Sequence, residues 1–343
     1  VLVKLDTSPL QSGHEHRGIG LYTKLLAAEL AKDTSITLAT DTSTAIPDII
    51  HYPFFDFFFD TLPVRKNAPT VVTIHDVIPL QFPNQYKPGL KGTLRLWKQK
   101  LALRTVAAVI TDSQASRQAI EKYLYVPADR IHVTYLAGNP EIKPVSAALL
   151  DTYTAKYALP STYLLYVGDI NYNKNIPELL KMIAKLPEKY SLVLAGKNFT
   201  PQPIPEWHAI EDTVAHYHLA DRVTFLADLG DNPSQTLSAL YQQAYAYIQP
   251  SLAEGFGLPI LEALQVGTPV LCSNTTSLPE VGGTVAVYSE PTAEYLASTF
   301  MNTIALWQDS DLAQFRTQAA TWIKTFSWQK TAQQTRQVYE SIV

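Results

Sequence analysis

The sequence holds a single cysteine, Cys272, in 343 residues. It can therefore form neither an internal disulfide nor a thiolate metal cluster, which suits a reducing compartment. It has no stretch of about eighteen apolar residues, the length a spanning helix needs. The opening Val1-Leu-Val-Lys-Leu5 also lacks the charged, apolar and small-residue succession of a secretory leader. The expectation is a cytoplasmic chain. A dense basic face is missing as well: residues 1–158 carry 17 Lys+Arg against 14 Asp+Glu, and residues 159–343 carry 10 against 17. That distribution argues against a nucleic-acid partner, whose phosphates need concentrated positive charge. It leaves room for a negatively charged partner on the N-terminal side. Low-complexity runs and repeats of about 20 to 50 residues are absent too.

What is present is a globular composition, 46% hydrophobic and 17% charged, in a chain long enough for two hydrophobic cores. Short β-branched segments alternate with amphipathic ones. Val1–Leu5, Ile36–Ala39, Ile49–Tyr52, Val71–Ile74, Ala108–Thr111 and Ile131–Tyr135 read as strands. Leu21–Leu30, Leu90–Val106 and Ser113–Tyr123, with Ser113 as N-cap, read as helices. After a linker helix beyond Pro144, a second series follows at Tyr163–Val167, Leu192–Ala195, Val223–Leu226, Tyr245–Gln249, Val270–Ser273 and Val285–Tyr288. The expected fold is α/β, two doubly wound domains at 1–158 and 159–325, with the C-terminal strand ends facing a shared cleft. Ser327 can cap a terminal amphipathic helix, Gln329–Ile342. Residues 326–343 have two readings, a surface helix on the second domain or one crossing back to the first.

The densest chemistry lies at Ser251-Leu-Ala-Glu254-Gly-Phe-Gly-Leu-Pro-Ile-Leu-Glu262. A strand ends there and a helix opens near Gly257, with Pro259 in its first turn, where a missing N–H costs nothing. Gly255 and Gly257 permit close approach of a ligand to the backbone. The positive helix end suits sugar or phosphate oxygens. Glu254 and Glu262 are spaced along one site, so each carboxylate can accept a pair of hydroxyls, one from a sugar and one from a ribose, with a diphosphate between.

This segment resembles the family 4 glycosyltransferases, retaining enzymes of GT-B fold, whose Glu-x7-Glu motif Glu254 and Glu262 match. Arg17-Gly-Ile-Gly-Leu-Tyr-Thr23, Thr73-Ile-His-Asp-Val-Ile-Pro79, Tyr166-Val-Gly-Asp-Ile-Asn-Tyr-Asn-Lys-Asn175, Leu194-Ala-Gly-Lys197 and Leu278-Pro-Glu-Val-Gly282 occur in the family's order. The resemblance implies an acceptor-side first domain and a nucleotide-sugar-binding second one. It implies that Glu254 contacts the transferred sugar, Glu262 the donor ribose, and the backbone of Phe256 to Leu258 the sugar or phosphate oxygens. Lys174 and Lys197 would neutralise the diphosphate. Where the family often carries arginine, this chain has Asp169 and Asn173. The implied reaction is retaining transfer of a hexose, of mannose or glucose type, from a GDP- or UDP-linked sugar to a glycan or lipid-linked hydroxyl by front-face attack. An epimerase, a phosphorylase or a non-catalytic binding module of the same fold would use the same contacts.

In the first half, Gly18-Ile-Gly20 lies between a strand and the helix Leu21–Leu30, and can bring backbone N–H groups to a phosphate or serve as a plain turn. His75 follows the strand Val71–Ile74 and matches the family's His-Asp pair, which implies contact with donor sugar or phosphate. Asp76 either orients it or caps the next loop. Metal dependence is not expected, because the lone Asp-x-Asp, Asp309-Ser-Asp311, opens a helix whose first turn favours acids.

Residues 87–104 contain six basic residues and no acid, with Leu90, Leu94, Trp97 and Leu101 at spacings of three and four. This pattern reads either as a core-facing stripe with a solvated basic side or as a helix lying on an anionic membrane surface. The latter would make the protein peripheral at the inner face of the membrane. The aromatic run Phe54-Phe-Asp-Phe-Phe-Phe59 either packs in the core or forms an apolar rim.

Overall fold

The computed structural model describes residues 1–11, 18–39 and 45–343. Arg17, the first residue of one matched motif, lies outside them. In chain order the first series is β1 (Leu2–Leu5), α1 (Gly18–Leu30), β2 (Thr37–Leu38), β3 (Ile49–Tyr52), β4 (Thr70–Thr73), α2 (Ile78–Gln81), α3 (Gly89–Leu103), β5 (Ala108–Thr111), α4 (Gln114–Leu124) and β6 (Ile131–Val133). The second series opens with α5 (Ala147–Tyr157), β7 (Tyr163–Val167), α6 (Ile176–Lys185), β8 (Ser191–Ala195), α7 (Pro205–His216), β9 (Val223–Leu226), α8 (Pro233–Gln243) and β10 (Ala246–Gln249). It continues through α9 (Leu258–Gln265), β11 (Val270–Ser273), α10 (Leu278–Gly282), β12 (Val287–Ser289), α11 (Ala293–Asn302) and α12 (Asp309–Trp322) to α13 (Trp328–Glu340).

These elements form two compact units, Val1–Ala137 with Phe326–Val343, and Gly138–Thr325. Each holds one six-stranded sheet, in order β2-β1-β3-β4-β5-β6 and β12-β11-β10-β7-β8-β9, and the strand pairs are parallel. Both expected doubly wound sheets are therefore present. β4, β5, β10 and β11 are buried at every residue, as strands covered on both faces must be. The passage into the second unit comes at Gly138, ahead of the division expected at 158. Within that unit the Tyr153 hydroxyl of α5 donates to Gln235 of α8 at 3.0 Å.

Strand order places the ligand crevice. In an open α/β sheet it lies outside the carboxyl ends of the strands where the winding reverses. In the second unit that point falls between β7 and β10, so the loops after these two strands, which carry Lys174 and Glu254, flank it. The backbone there is tightly packed: a Cβ on Gly196, just past β8, would stand 2.0 Å from the carbonyl oxygen of Gly168, just past β7. Only a residue without a side chain fits.

α13 belongs to the first unit. Ser327 caps it, accepting from the Lys330 N–H at 3.1 Å. Inside the helix, Tyr339 OH meets His51 Nδ1 at 2.6 Å and the Thr331 hydroxyl donates to Tyr135 O at 2.7 Å. His51 Nε2 continues the line to Thr73 Oγ1 at 2.8 Å, and Tyr22 OH joins the same hydroxyl at 3.0 Å. Burial, together with the nearby His75, drives the His51 pKa down to about 3, so this imidazole is neutral.

Candidate active site

The loop after β10 is sewn to the loop after β7 by backbone and side-chain bonds. Leu252 N–H donates to Asn173 O at 2.7 Å, Asn173 Nδ2 to Ala253 O at 2.8 Å, and Asn175 Nδ2 to Pro250 O at 3.0 Å. Asn173, one of the two positions where the family often has arginine, is thus a buried bracket. Asp169, the other, accepts from Asn198 Nδ2 and from the Ile170 N–H. Asn175 sits at φ 60° as the cap of α6, a left-handed conformation that asparagine tolerates better than most residues. It turns the chain so that Lys174, one residue earlier, meets Glu254.

The meeting is a two-pronged ion pair. Lys174 Nζ lies 2.8 Å from Glu254 Oε1 and 2.7 Å from Oε2. Gln249 Nε2 and the Ser251 hydroxyl also donate to Oε1, at 2.9 and 2.6 Å. One oxygen is saturated with donors. Oε2 meets the lysine alone among the described residues and keeps acceptor capacity for a ligand hydroxyl. Thr276 accepts from the Glu254 N–H at 2.9 Å, and the Ser277 hydroxyl donates to both Glu254 O and Phe256 O. Gly255, Phe256 and Gly257 are buried beneath this clasp. Gly257 caps α9 at φ 112°, and a Cβ there would press within 2.9 Å of Leu278.

Four residues along, Leu261 faces the core, and Glu262 follows it as a buried acid. The Tyr241 hydroxyl donates to its Oε2 at 3.0 Å. Burial dominates, lifting the Glu262 pKa from 4.5 to about 7, with the tyrosine bond only partly opposing. Between the two acids the Tyr241 ring packs edge-on against Tyr247 with centroids 5.6 Å apart, and Tyr247 OH donates to Gln249, the residue that donates to Glu254.

Lys197 is exposed just past β8. Asp311 forms a capping box with Gln308 at the start of α12. Among the described residues no cluster of three or more His, Cys, Asp or Glu is placed to hold a metal ion. Cys272 is fully buried in β11, and burial pushes its thiol pKa up.

The first unit gathers a separate set. His75 Nδ1 lies 2.6 Å from Asp112 Oδ2 and Nε2 lies 3.2 Å from Pro53 O. Both partners are acceptors, so only the imidazolium satisfies them together. Burial pulls the His75 pKa down, but the charge and hydrogen bond of Asp112 outweigh it and hold the value above the ordinary one. The Tyr22 ring stands edge-on to His75 at 4.9 Å. Asp112, not Asp76, orients the histidine; Asp76 accepts from the Ile78 N–H at 2.9 Å and so caps the following turn. Gly18 and Gly20 are also placed differently from expectation, since α1 already begins at Gly18 and takes both into its first turn.

The individual roles of Asp112, Gln249, Ser251, Thr276 and Tyr241 were not legible in the sequence. Asp112 alone had a local signal, its place at the carboxyl end of β5 beside the capping Ser113.

Because the His75 pKa is raised in the fold, its proton contributes stability that is complete below the unfolded value near 6.5 and is lost as pH rises through the folded value. Glu262 acts in the same direction between 4.5 and about 7. Asp112→Asn should remove the histidine's share, and melting temperatures across pH 5 to 9 measure it. A melting profile parallel to wild type would refute the pairing.

Residues 17–141 match the family described as Glycosyltransferase Family 4, and residues 154–296 match Glycosyl transferases group 1. The O-antigen chain mannosyltransferase B of Escherichia coli is 34% identical over 283 residues, 79% of this chain and 70% of that one. The serotype-specific mannosyltransferase WbdA of Escherichia coli is 30% identical over 92% of this chain, which spans 39% of that longer protein. The crystal structure of Anabaena HepE in complex with UDP-glucose superposes with a TM-score of 0.76 over 99% of both chains at 17% identity, a likeness of fold. The chain belongs to the GT-B glycosyltransferases, related to the group 1 and family 4 mannosyltransferases, and is an enzyme that uses a nucleotide sugar as co-substrate.

Proposed function

We propose that the chain moves a mannose-type hexose from a GDP- or UDP-linked donor to a hydroxyl of a glycan or lipid-linked acceptor, with retention at the anomeric carbon. The observation that carries this reading is the Glu254–Lys174 pair at the reversal point of the second sheet, in a chain similar to proteins named mannosyltransferases. In this reading Glu254 Oε2 accepts from a sugar hydroxyl, Glu262 from the donor ribose, and the backbone of Gly255, Phe256, Gly257 and Leu258 meets the sugar or phosphate oxygens at the positive end of α9.

The leaving diphosphate gains charge as its bond to the sugar breaks. Fixed positive groups aimed at it lower the barrier. Lys174 and Lys197 fill that role in the second unit. Front-face attack lets the leaving phosphate take the acceptor proton, so the protein supplies position and charge.

Calorimetric titration with GDP-mannose, UDP-glucose and their free nucleotides should yield one preferred donor. NMR of the transferred product should show the donor's anomeric configuration kept. Inversion, or turnover to an epimer without acceptor, would overturn the proposal.

A further inference from the structure

α3 turns its apolar stripe outward. Leu90, Leu94 and Trp97 are 88%, 70% and 67% exposed, so the core-facing reading of this stripe does not hold. The roll of the helix is set from its other side. There Gly92, Gln99, Ala102 and Leu103 are buried, and the Gln99 amide pairs with both backbone groups of Leu62, accepting from N–H at 3.0 Å and donating to C=O at 3.1 Å. Rotating the stripe inward would break both bonds, leave the Leu62 N–H and C=O unpaired and turn Ala102 and Leu103 out to solvent.

Basic residues flank this stripe. At about 100° per residue, Leu94, Trp97 and Leu101 fall within about 40° of Leu90, Lys91 and Lys98 lie about 80 to 100° to one side, and Arg104 and Lys100 about 40 to 80° to the other. The aromatic run before α3 divides. Phe55 and Phe57 enter the core, whereas Phe59 is 61% exposed and lies under the Arg95 guanidinium, 5.5 Å from its centroid. On the facing side Lys100 Nζ sits 5.6 Å from the ring of exposed Tyr125. Asp60 faces the patch and is paired with Lys98 at 3.1 Å. Residues 87–104 themselves contain no acid.

We propose that the outward face of α3, with Phe59, docks on an anionic lipid surface, Leu90, Leu94 and Trp97 entering the boundary between headgroups and acyl chains while the flanking lysines and arginines meet the phosphates. Charge complementarity selects this occupant. A second copy would bring the same cations against each other, and an aqueous surface would leave Leu90, Leu94 and Trp97 wet with no return. Apolar insertion and headgroup attraction add, as in helices that lie in the membrane plane. The surface does not depend on which sugar the enzyme transfers.

The test is co-sedimentation of the full chain with vesicles of phosphatidylcholine containing phosphatidylglycerol, against phosphatidylcholine alone. Wild type should bind the anionic vesicles and lose most binding at high salt. Lys91→Glu with Lys98→Glu should weaken binding by at least about tenfold, since each cation near the surface is worth about fivefold. Leu94→Ser with Trp97→Ser should weaken it at least about tenfold on both vesicle types, with transfer to a soluble acceptor and the circular dichroism spectrum unchanged. Equal binding to neutral and anionic vesicles would overturn the proposal. So would a Trp97-dependent dimer in sedimentation velocity without vesicle binding, which would assign the surface to a second copy.

Discussion

Glu254→Gln is expected to lower kcat by about 10²- to 10³-fold, the range found when one preorganised electrostatic contact to a transition state is removed. The amide keeps the size of the side chain but cannot keep its bonds. Oε1 accepts from Lys174, Gln249 and Ser251, and an NH₂ group in either position faces a donor with a donor. Lys174→Ala should cost a similar factor, because the lysine both orients the carboxylate and carries the charge proposed to balance the leaving group. The two act as one unit, so the double variant should be little worse than either single one. Single-turnover rates with labelled donor measure this, and multiplicative losses would sink the idea of a unit. Breaking one side of the pair should also cost about 1 to 3 kcal/mol of stability, below the range for fully buried pairs because Lys174 remains 21% exposed. Urea midpoints would then separate a folding defect from a catalytic one.

Glu262→Gln is expected to raise the donor Kd by about ten- to a hundredfold at pH 8, the loss of charge-assisted hydrogen bonds to a pair of hydroxyls. The pH dependence is the sharper signature. With a pKa near 7 in the unliganded fold, the acid is half protonated at neutral pH. Two ribose hydroxyls donating to it favour the carboxylate and drive the proton off. Donor binding near pH 6.5 should therefore release up to one proton, seen as a dependence of calorimetric enthalpy on buffer ionisation, and Glu262→Gln should abolish that dependence. The same substitution removes a group whose ionisation costs the fold, so the Glu262 share of the fall in stability between pH 4.5 and about 7 should vanish, leaving that of His75. A wild-type enthalpy independent of buffer would contradict the ribose assignment.

Much of this was legible because the strands declare themselves. Ile49–Tyr52, Ala108–Thr111, Tyr163–Val167, Val223–Leu226 and Val270–Ser273 are the observed bounds of their strands, since apolar β-branched runs flanked by breakers leave little choice of period. The helix after Gly257 was equally readable from proline in its first turn. What escaped was whatever depends on partners distant in sequence. Nothing local at Asp112 says that its carboxylate reaches His75, 37 residues earlier. Lys174 reads as a solvated or phosphate-facing charge until the folded loops bring it to Glu254. The stripe on α3 shows its period in sequence, but its outward direction is decided by Gln99 and Leu62. Glycines 18 and 20 misled for the opposite reason, because weak helix formers in a first turn look like a loop.

The membership of α13 in the first unit has a consequence for the order in which the molecule is made. His51 and Tyr339 are 288 residues apart in sequence, and the entire second unit is synthesised between them. Until α13 leaves the ribosome, the His51 imidazole lacks the tyrosine hydroxyl at Nδ1 and the α1 face that receives α13 stays wet. The second unit has no such wait, because its elements are contiguous, and it can fold vectorially as its strands emerge. Its prior folding also helps the late step, since a compact intervening body replaces a long flexible loop whose closure would otherwise be paid in entropy. Growth along the chain thus completes the second unit first, and α13 finishes the nascent partner that was begun before it.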